Sequence, residues 1–175
     1  MTWAGRSPAG ALPHWRTLLC YDRGLLFVMQ KLTIPVTRLR PEARLPESAH
    51  GPAEDAGLDL FAAEDVLLPA GGWESVPTGL AIEIPQGFEG QVRPRSGLAR
   101  KFGVTLLNSP GTIDPGYRGE VQVLMINHGR QEYQIRKGDR IAQLIVSAYA
   151  AVEWSVHEEL SQSRRAAGGF GSTGT

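Results

Sequence analysis

One segment rich in proline and glycine carries three side chains suited to binding and to acid–base chemistry. It reads LLNSPGTIDPGYRGEV over Leu106–Val121, and its turn residues predict a tight, stiff hairpin with exposed backbone groups. Asn108 offers both a donor and an acceptor, as reading the edge of a base requires. Asp114 is a carboxylate that could orient and deprotonate a water, and Tyr117 is a flat surface on which a sugar could pack. A plain β-turn with capping Asn and Asp explains the same residues equally well.

A second polar group, Arg95-Ser96-Gly97, lies where a strand is expected to run into a short helix. The stretch SGLARKFG, Ser96–Gly103, predicts one or two helical turns with Ser96 as the N-cap and Gly103 as the stop. Free backbone N–H groups at a helix start bind phosphate, and Arg95 and the Ser96 hydroxyl add donors. The competing interpretation is an ordinary capped turn with a solvated arginine. Taken by itself, this segment favours that competing interpretation.

Two further polar residues interrupt apolar runs. Asp59 lies between apolar neighbours in AGLDL, where a carboxylate is costly unless it is paired, hydrogen-bonded or close to a cation. Gln143 interrupts the apolar run RIAQLIV and is therefore expected to hydrogen-bond to something specific. For each residue taken alone, a structural hydrogen bond is the favoured interpretation.

The final stretch, GGFGSTGT, places four glycines around a single aromatic residue. Glycine is costly to order, so a frayed terminus is the simplest interpretation. The alternative is a lid, in which Phe170 covers a flat group and Ser172, Thr173 and glycine N–H groups contact an anion. The stretch alone does not decide between the two.

The elements that position these residues are short strands separated by turns. Leu80–Ile84 has the period of a strand with one buried face, with Leu80, Ile82 and Ile84 on one side and Ala81 and Glu83 on the other. The turn Asn127-His128-Gly129 predicts a hairpin between two of the strands. Short strands with turns at this spacing indicate an all-β sandwich or jelly roll with one short helix. The predicted strands are Leu80–Ile84, Val121–Asn127, Glu132–Ile135, Arg140–Val146 and Ala151–Trp154.

Composition limits the classes of function. The 175 residues suffice for one domain with a proper core, and 18 basic side chains balance 18 acidic ones. A net charge of zero argues against binding nucleic acid or a membrane surface, so any polyanion must be small and held locally. The single cysteine, Cys20, fits a reducing compartment, and the four histidines show no metal-ligand spacing. Residues 1–30 differ from the remainder and are expected to be a disordered extension, or to precede a true start at Met29.

These pieces occur in the order, and at nearly the spacing, of five motifs. The chain resembles the trimeric deoxyuridine triphosphatase (dUTP diphosphatase) family from about Leu32 to its C-terminus. This chain departs from the family's common pattern at two places. Gly116 stands where an acid is common, and Ala166-Ala167 stands where a glycine is common. The motifs are AGLDL (Ala56–Leu60), RPRSGLA (Arg93–Ala99), GTIDPGYRGEV (Gly111–Val121), KGDRIAQLIV (Lys137–Val146) and GGFGSTG (Gly168–Gly174).

The resemblance implies a distorted jelly-roll β-barrel with one short helix that forms a homotrimer. Three active sites would lie between subunits, each assembled from all three chains, with the glycine-rich tail exchanged onto a neighbouring subunit. The implied organisation is an N-terminal extension at 1–30, a jelly-roll domain at 31–160 and a C-terminal lid at 161–175.

The resemblance also implies a role for each matching residue. Asp114 is similar to the family's general base, which activates water for attack on the α-phosphorus of dUTP and yields dUMP and pyrophosphate. Mg²⁺ would be held by the triphosphate and waters, and Asp59 would contact those waters. The nucleoside would be bound by Asn108, Gly111, Thr112, Ile113, Asp114, Tyr117 and, as a further member, Gln122. The phosphates would be held by Arg95, Ser96, Gly97, Gln143, Arg165, Gly171, Ser172 and Thr173, with Phe170 stacked on uracil.

The expected function is therefore dUTP hydrolysis in the cytoplasm, which keeps uracil out of DNA and supplies dUMP. One alternative is a dCTP deaminase of the same architecture, which needs an acid placed over C4 of cytosine. The other is a trimeric nucleotide sensor that only binds. The carboxylate at Asp114 disfavours that second alternative, because a pure binder gains nothing from an acid beside a triphosphate.

Overall fold

The computed structural model describes residues 31–163 and 166–167. Within them, no helix has both the length and the apolar character needed to cross a membrane. The elements are β1 (Val36–Arg38), β2 (Leu58–Phe61), β3 (Val66–Leu68), β4 (Trp73–Ile82), β5 (Phe88–Pro94), α1 (Ser96–Phe102), β6 (Val104–Leu106), β7 (Gly111–Ile113), β8 (Glu120–Asn127), β9 (Tyr133–Ile135) and β10 (Arg140–Ala148).

Two four-stranded antiparallel sheets share one apolar core. Their strand orders are β1-β4-β8-β6 and β2-β10-β5-β7, and a small third sheet pairs β3 with β9. Val76 and Val123 of the first sheet belong to the same buried cluster as Leu60 and Leu144 of the second. This is the sandwich that the short alternating strands predict, a jelly-roll-like all-β fold with one short helix.

The period-two pattern is correct, while the strand boundaries shift. Leu80, Ile82 and Ile84 are at most 5% exposed, whereas Glu83 between them is exposed. The strand that contains Leu80 and Ile82 begins earlier than predicted, at Trp73, and ends at Ile82, so Ile84 is buried beyond its end. Burial therefore follows the alternation in the sequence, and hydrogen bonding to a partner strand sets where the element begins and ends.

Two predicted pairings are wrong because strands join partners that are distant in the chain. β9 pairs with β3 rather than with β8. The buried Asn127 directs this, since its amide donates to the carbonyls of Leu68 and Gln131 and accepts from Gly129 N–H, which bends the chain away from the sheet. Leu106–Val121 is not a simple hairpin either, because β7 pairs with β5 while β6 and β8 pair with each other.

One predicted strand does not form in the described chain. Residues 151–154 have no strand partner, and Val152 and Trp154 are 68% and 87% exposed. The alternation there is real, but a strand needs a neighbour to satisfy its backbone groups, and none of the described residues provides one.

The short helix forms where expected, with a different cap. α1 covers Ser96–Phe102, and Gly103 ends it in the left-handed conformation, with its N–H donating to the Ala99 carbonyl. The N-cap is Arg95, and no side chain caps the helix start. The prediction that Ser96 is the N-cap is therefore wrong, and its hydroxyl lies exposed at the first helical position.

Candidate active site

A cavity of about 390 Å³ opens beside β7 and β8. It exists because the chain leaves the first sheet after β6, joins the second sheet as β7, and returns as β8. Of the residues predicted to bind the nucleoside, each one that the structure describes lies on its wall. The lining residues are Val92, Asn108, Gly111, Thr112, Ile113, Asp114, Tyr117, Glu120, Val121, Gln122, Val123 and Leu124.

Gly111 sets the position of Asn108. In the register between β5 and β7, Gly111 is opposite Val92, and the glycine is buried. A Cβ at position 111 would lie 3.2 Å from Nδ2 of Asn108 and 3.6 Å from Cβ of Val92. The missing side chain therefore lets the Asn108 amide approach the strand and line the cavity.

Asp114 lies in a tight turn with its carboxylate exposed. The Tyr117 N–H donates to the Asp114 carbonyl over 3.1 Å, which closes a β-turn with Pro115 and Gly116 at its centre. No ion pair between described residues involves Asp114. The carboxylate is thus on a stiff support and is left available to a ligand or a water.

Tyr117 packs over a glycine. A Cβ at Gly119 would lie 2.5 Å from the phenol oxygen and 2.7 Å from Cζ, so only glycine leaves room for the ring. The phenol donates to the Glu120 carbonyl over 2.9 Å, and the side chain is 44% exposed. The ring is therefore fixed at the cavity wall with exposed surface on which a sugar could pack.

Gln122 projects from β8 with its amide oriented by a neighbouring strand. The Ser75 hydroxyl donates to Oε1 of Gln122, which leaves the amide N–H groups available. Sequence reasoning missed Ser75, because only the pairing of β4 with β8 brings it beside Gln122. It also missed Glu120, whose carboxylate accepts from Gly79 N–H at a bulge in β4.

A charged cluster lies at the start of α1. Asp59 is 4% exposed, with Oδ1 3.2 Å from Nε of Arg95 and Oδ2 accepting from Nη1 of Arg140 over 3.2 Å. Nη1 of Arg95 also donates to the Arg140 carbonyl over 3.1 Å. The lone acid thus has the cationic partners that its burial requires. Sequence reasoning missed Arg140, which meets Asp59 because β10 pairs with both β2 and β5.

Of the other residues predicted to hold phosphate, those within the described part of the chain lie near this cluster, on β10 and α1. Gln143 on β10 is opposite Asp59 on β2 and Arg93 on β5, and it is half-buried. Its amide forms no hydrogen bond with another described residue, so the structural hydrogen bond expected of it is not found there. Ser96 and Gly97 are exposed, and a Cβ at Gly97 would meet nothing within 4 Å.

The described residues form no cluster of three or more His, Cys, Asp or Glu side chains that could bind a metal directly. Oδ1 of Asp59 is buried and accepts no hydrogen bond of normal geometry within the described chain. This oxygen lies 3.2 Å from Nε of Arg95, so it can accept from a water of a hydrated cation when the arginine turns toward a phosphate. Mg²⁺ keeps several waters and binds mainly through substrate phosphates, so these residues fit the ion as an outer-shell site.

The cavity and the charged cluster are separate places on one chain. Ile113 is opposite Gly90 in the pairing of β7 with β5, and Arg95 follows Gly90 by five residues. At about 3.3 Å a residue, this is roughly 16 Å along the sheet. Neither the arginine nor Asp59 lines the cavity. The remaining predicted residues, Arg165, Phe170, Gly171, Ser172 and Thr173, lie outside the described residues.

Comparison with known proteins gives one consistent family. The dUTPase family model matches residues 44–174. A deoxyuridine 5'-triphosphate nucleotidohydrolase of Solibacter usitatus is 58% identical over 147 residues, which are 84% of this chain and 99% of that protein. Its counterpart in Clostridium tetani is 47% identical over 146 residues, which are 83% of this chain and 99% of that protein.

Solved structures agree with the sequence comparison. A variant dUTPase of Staphylococcus bacteriophage 80alpha, solved with dUpNHpp, superposes with a TM-score of 0.75 at 30% identity, covering 83% of this chain and all of that one. A variant dUTPase of phage phi11 from S. aureus, described with a structural Mg(II) ion, has a TM-score of 0.67 at 30% identity and covers 73% of this chain and 98% of its own. The chain belongs to the dUTPase family.

Proposed function

We propose that this chain hydrolyses dUTP to dUMP and pyrophosphate by attack of water on the α-phosphorus. One observation carries the proposal: a single cavity brings Asn108, Asp114 and Tyr117 together, which supplies a base-reading amide, a carboxylate and a sugar platform. The family's named relatives and a neighbour solved with a dUTP analogue support the same substrate.

The cavity selects the nucleoside. The amide of Asn108 and the backbone groups of Gly111–Asp114 present donors and acceptors to the polar edge of uracil. Gly111 lets the Asn108 amide lie close to β7, and uracil packed against this wall would leave no room for a thymine methyl. Tyr117 packs beneath the deoxyribose, where a 2′-hydroxyl would be crowded.

Asp114 acts as the general base. Its exposed carboxylate takes a proton from the attacking water as the new P–O bond forms at the α-phosphorus. The bond from that phosphorus to the bridging oxygen breaks, and the electron pair leaves with pyrophosphate. The stiff turn keeps the carboxylate in place, so alignment of the water costs little at the moment of reaction.

The charged cluster binds the triphosphate. Arg95 offers guanidinium N–H groups, and Ser96 and Gly97 offer an exposed hydroxyl and backbone N–H groups. Gln143 assists from β10. Mg²⁺, when bound to the triphosphate, neutralises phosphate charge, and Oδ1 of Asp59 would contact its waters.

The active form is a homotrimer that combines the two places. On one chain, Asp114 directly follows Ile113, whose partner Gly90 lies five residues before Arg95. The backbones of Asp114 and Arg95 are therefore roughly 16 Å or more apart along the sheet, a long way for both side chains to reach one α-phosphorus. If the cavity of one copy lies beside the charged cluster of another copy, Asp114 of the first and Arg95 of the second can reach the same nucleotide. The unpaired alternation at Val152, Trp154 and Val156, each at least 68% exposed, suits a strand added to a neighbouring copy.

The chain divides, on this proposal, into an extension at 1–30, a catalytic domain at 31–160 and a lid at 161–175. Arg165 and Gly171–Thr173 would close over the phosphates of a neighbouring copy, and Phe170 would stack on uracil. The conversion of dUTP to dUMP is assigned to the cytoplasm.

The decisive experiment incubates the protein with Mg²⁺ and each deoxynucleoside triphosphate in turn, and measures pyrophosphate and ammonia. Pyrophosphate and dUMP from dUTP alone are expected. Ammonia from dCTP would establish a deaminase instead, and tight binding without any product would establish a sensor. Sedimentation of the same sample tests the trimer, since a fully active monomer would contradict a shared site.

A further inference from the structure

Arg118 holds the loop that carries Asp114 and Tyr117. Its Nη1 donates to the carbonyls of Pro115 and Tyr117, each over 2.7 Å. Its Nη2 forms an ion pair with Oε1 of Glu83 over 2.9 Å. One guanidinium therefore ties the two ends of a three-residue stretch to each other and to a different part of the sheet.

The far end of this link is anchored in the first sheet. Glu83 directly follows β4, and its N–H donates to the Pro35 carbonyl over 2.9 Å. An exposed ion pair alone contributes little to stability. Charge-assisted hydrogen bonds to carbonyls are stronger. Within the described chain, the loop otherwise has the turn bond from Tyr117 N–H to the Asp114 carbonyl and the bond from the Tyr117 phenol to the Glu120 carbonyl.

The same arrangement keeps the cation away from the reacting carboxylate. Arg118 lies four residues after Asp114, yet its guanidinium is occupied by two carbonyls and Glu83. Asp114 forms no ion pair within the described chain, so its oxygens stay free for a water. The arginine orders the loop without taking up the group that the loop presents.

We infer that Arg118 is a positioning residue for the hydrolysis, which acts by holding the Asp114–Tyr117 turn in the geometry that aims the carboxylate at the water. Glu83 is its anchor. The inference rests on the proposed function for its kinetic consequence and on the hydrogen bonds alone for its structural one.

The kinetic test is Arg118→Gln with dUTP as substrate. Displacement of a reacting group by about 1 Å costs up to 10²-fold, so we expect kcat to fall roughly 10- to 100-fold. Arg118→Lys keeps a charge and fewer donors, and should recover part of the loss. Glu83→Gln keeps both carbonyl bonds, and should lower kcat by no more than about 5-fold.

Arg40→Gln is the matched control. Arg40 forms an exposed ion pair with Glu64 over 2.7 Å and lines no part of the cavity. Its loss should leave kcat unchanged. If Arg118→Gln behaves like Arg40→Gln, the inference is wrong.

A double-mutant cycle separates positioning from general loosening. If Arg118 acts through Asp114, Arg118→Gln should have little further effect on kcat in an Asp114→Asn background. Equal fold-losses in both backgrounds would overturn the inference.

Hydrogen exchange keeps the test independent of turnover. Amides of residues 116–119 should exchange faster in Arg118→Gln than in wild type or Arg40→Gln. Unchanged exchange would overturn the inference even for a protein that does not hydrolyse dUTP. If the wild type releases no pyrophosphate but Arg118→Gln still exchanges faster than the wild type, the proposed function is contradicted and the restraint on the loop is retained.

Discussion

The cavity beside β7 and β8 and the charged cluster at the start of α1 are built in opposite ways. The polar side chains of the cavity come mostly from one stretch, Asn108–Tyr117, and their positions depend on local turns and on glycines at 111 and 119. The cluster joins Asp59, Arg95 and Arg140 from distant parts of the chain around a buried carboxylate. A local site tolerates distant changes, whereas a cluster of this kind depends on strand register.

The two regions also differ in how charge is handled. The cavity has one exposed carboxylate at Asp114 that no cation neutralises within the described chain. The cluster has two arginines to one acid, which leaves a net positive charge beside exposed donors. The first suits activation of a neutral water, and the second suits binding of a polyanion. Four substitutions test this division.

The largest effect is expected from Asp114→Asn. It removes the base without removing shape, so turnover should fall by roughly 10²–10⁴ while nucleotide binding persists. Steady-state pyrophosphate release and titration with a non-hydrolysable dUTP analogue measure the two quantities. Because Asp114 is exposed, the melting temperature should not change. Near-normal turnover would remove Asp114 from this role.

Asp59→Asn should lower the stability of the fold, whereas Asp114→Asn should lower turnover and leave the melting temperature unchanged. Two guanidinium groups lose their charged acceptor, so the free energy of unfolding should fall by about 2–3 kcal/mol. Urea denaturation measures this, with Arg140→Gln as the control, since the Arg140 side chain is 50% exposed and should matter less. A stable variant with normal phosphate affinity would contradict the role of Asp59 as the common partner of the two arginines.

Phe170→Ala tests the lid. Loss of stacking on a base costs about 1–3 kcal/mol, which should appear as a weaker apparent affinity for dUTP. Truncation before residue 161 is the companion variant. Unchanged activity after that truncation would show that the tail takes no part.

The smallest effect is expected from Gly111→Ala. The added Cβ would meet Nδ2 of Asn108 at 3.2 Å, so the amide must shift by a few tenths of an ångström. We expect KM for dUTP to rise with a cost of about 1 kcal/mol, as for mild overpacking. Gly72→Ala is the matched control, since a Cβ there would meet Cβ of Pro69 at the same 3.2 Å and Gly72 does not line the cavity. Equal effects on KM would indicate that Asn108 does not read the base.

Sequence reasoning identified residues that line the cavity, but it predicted the pairing of the surrounding strands wrongly. Asn108, Asp114 and Tyr117 share a wall because turn residues set their spacing, and turn chemistry is local. The expected hairpin fails because β7 satisfies its hydrogen bonds with β5, and the strand expected at 151–154 finds no partner within the described chain. The residue pattern indicates that a strand can form, but it does not determine which other strand pairs with it.

The cap at Ser96 was also wrongly predicted, since serine is a favoured cap and yet the backbone enters the helix at Arg95. The sequence by itself determined the all-β class, the buried faces of the strands and the candidate residues that line the cavity, because alternation and turn signals act over a few residues. Only the tertiary structure decided that Arg140 meets Asp59, that Ser75 orients Gln122 and that Arg118 reaches Glu83. These contacts join segments far apart in the chain, and strand register, which depends on packing of the whole core, sets their distances.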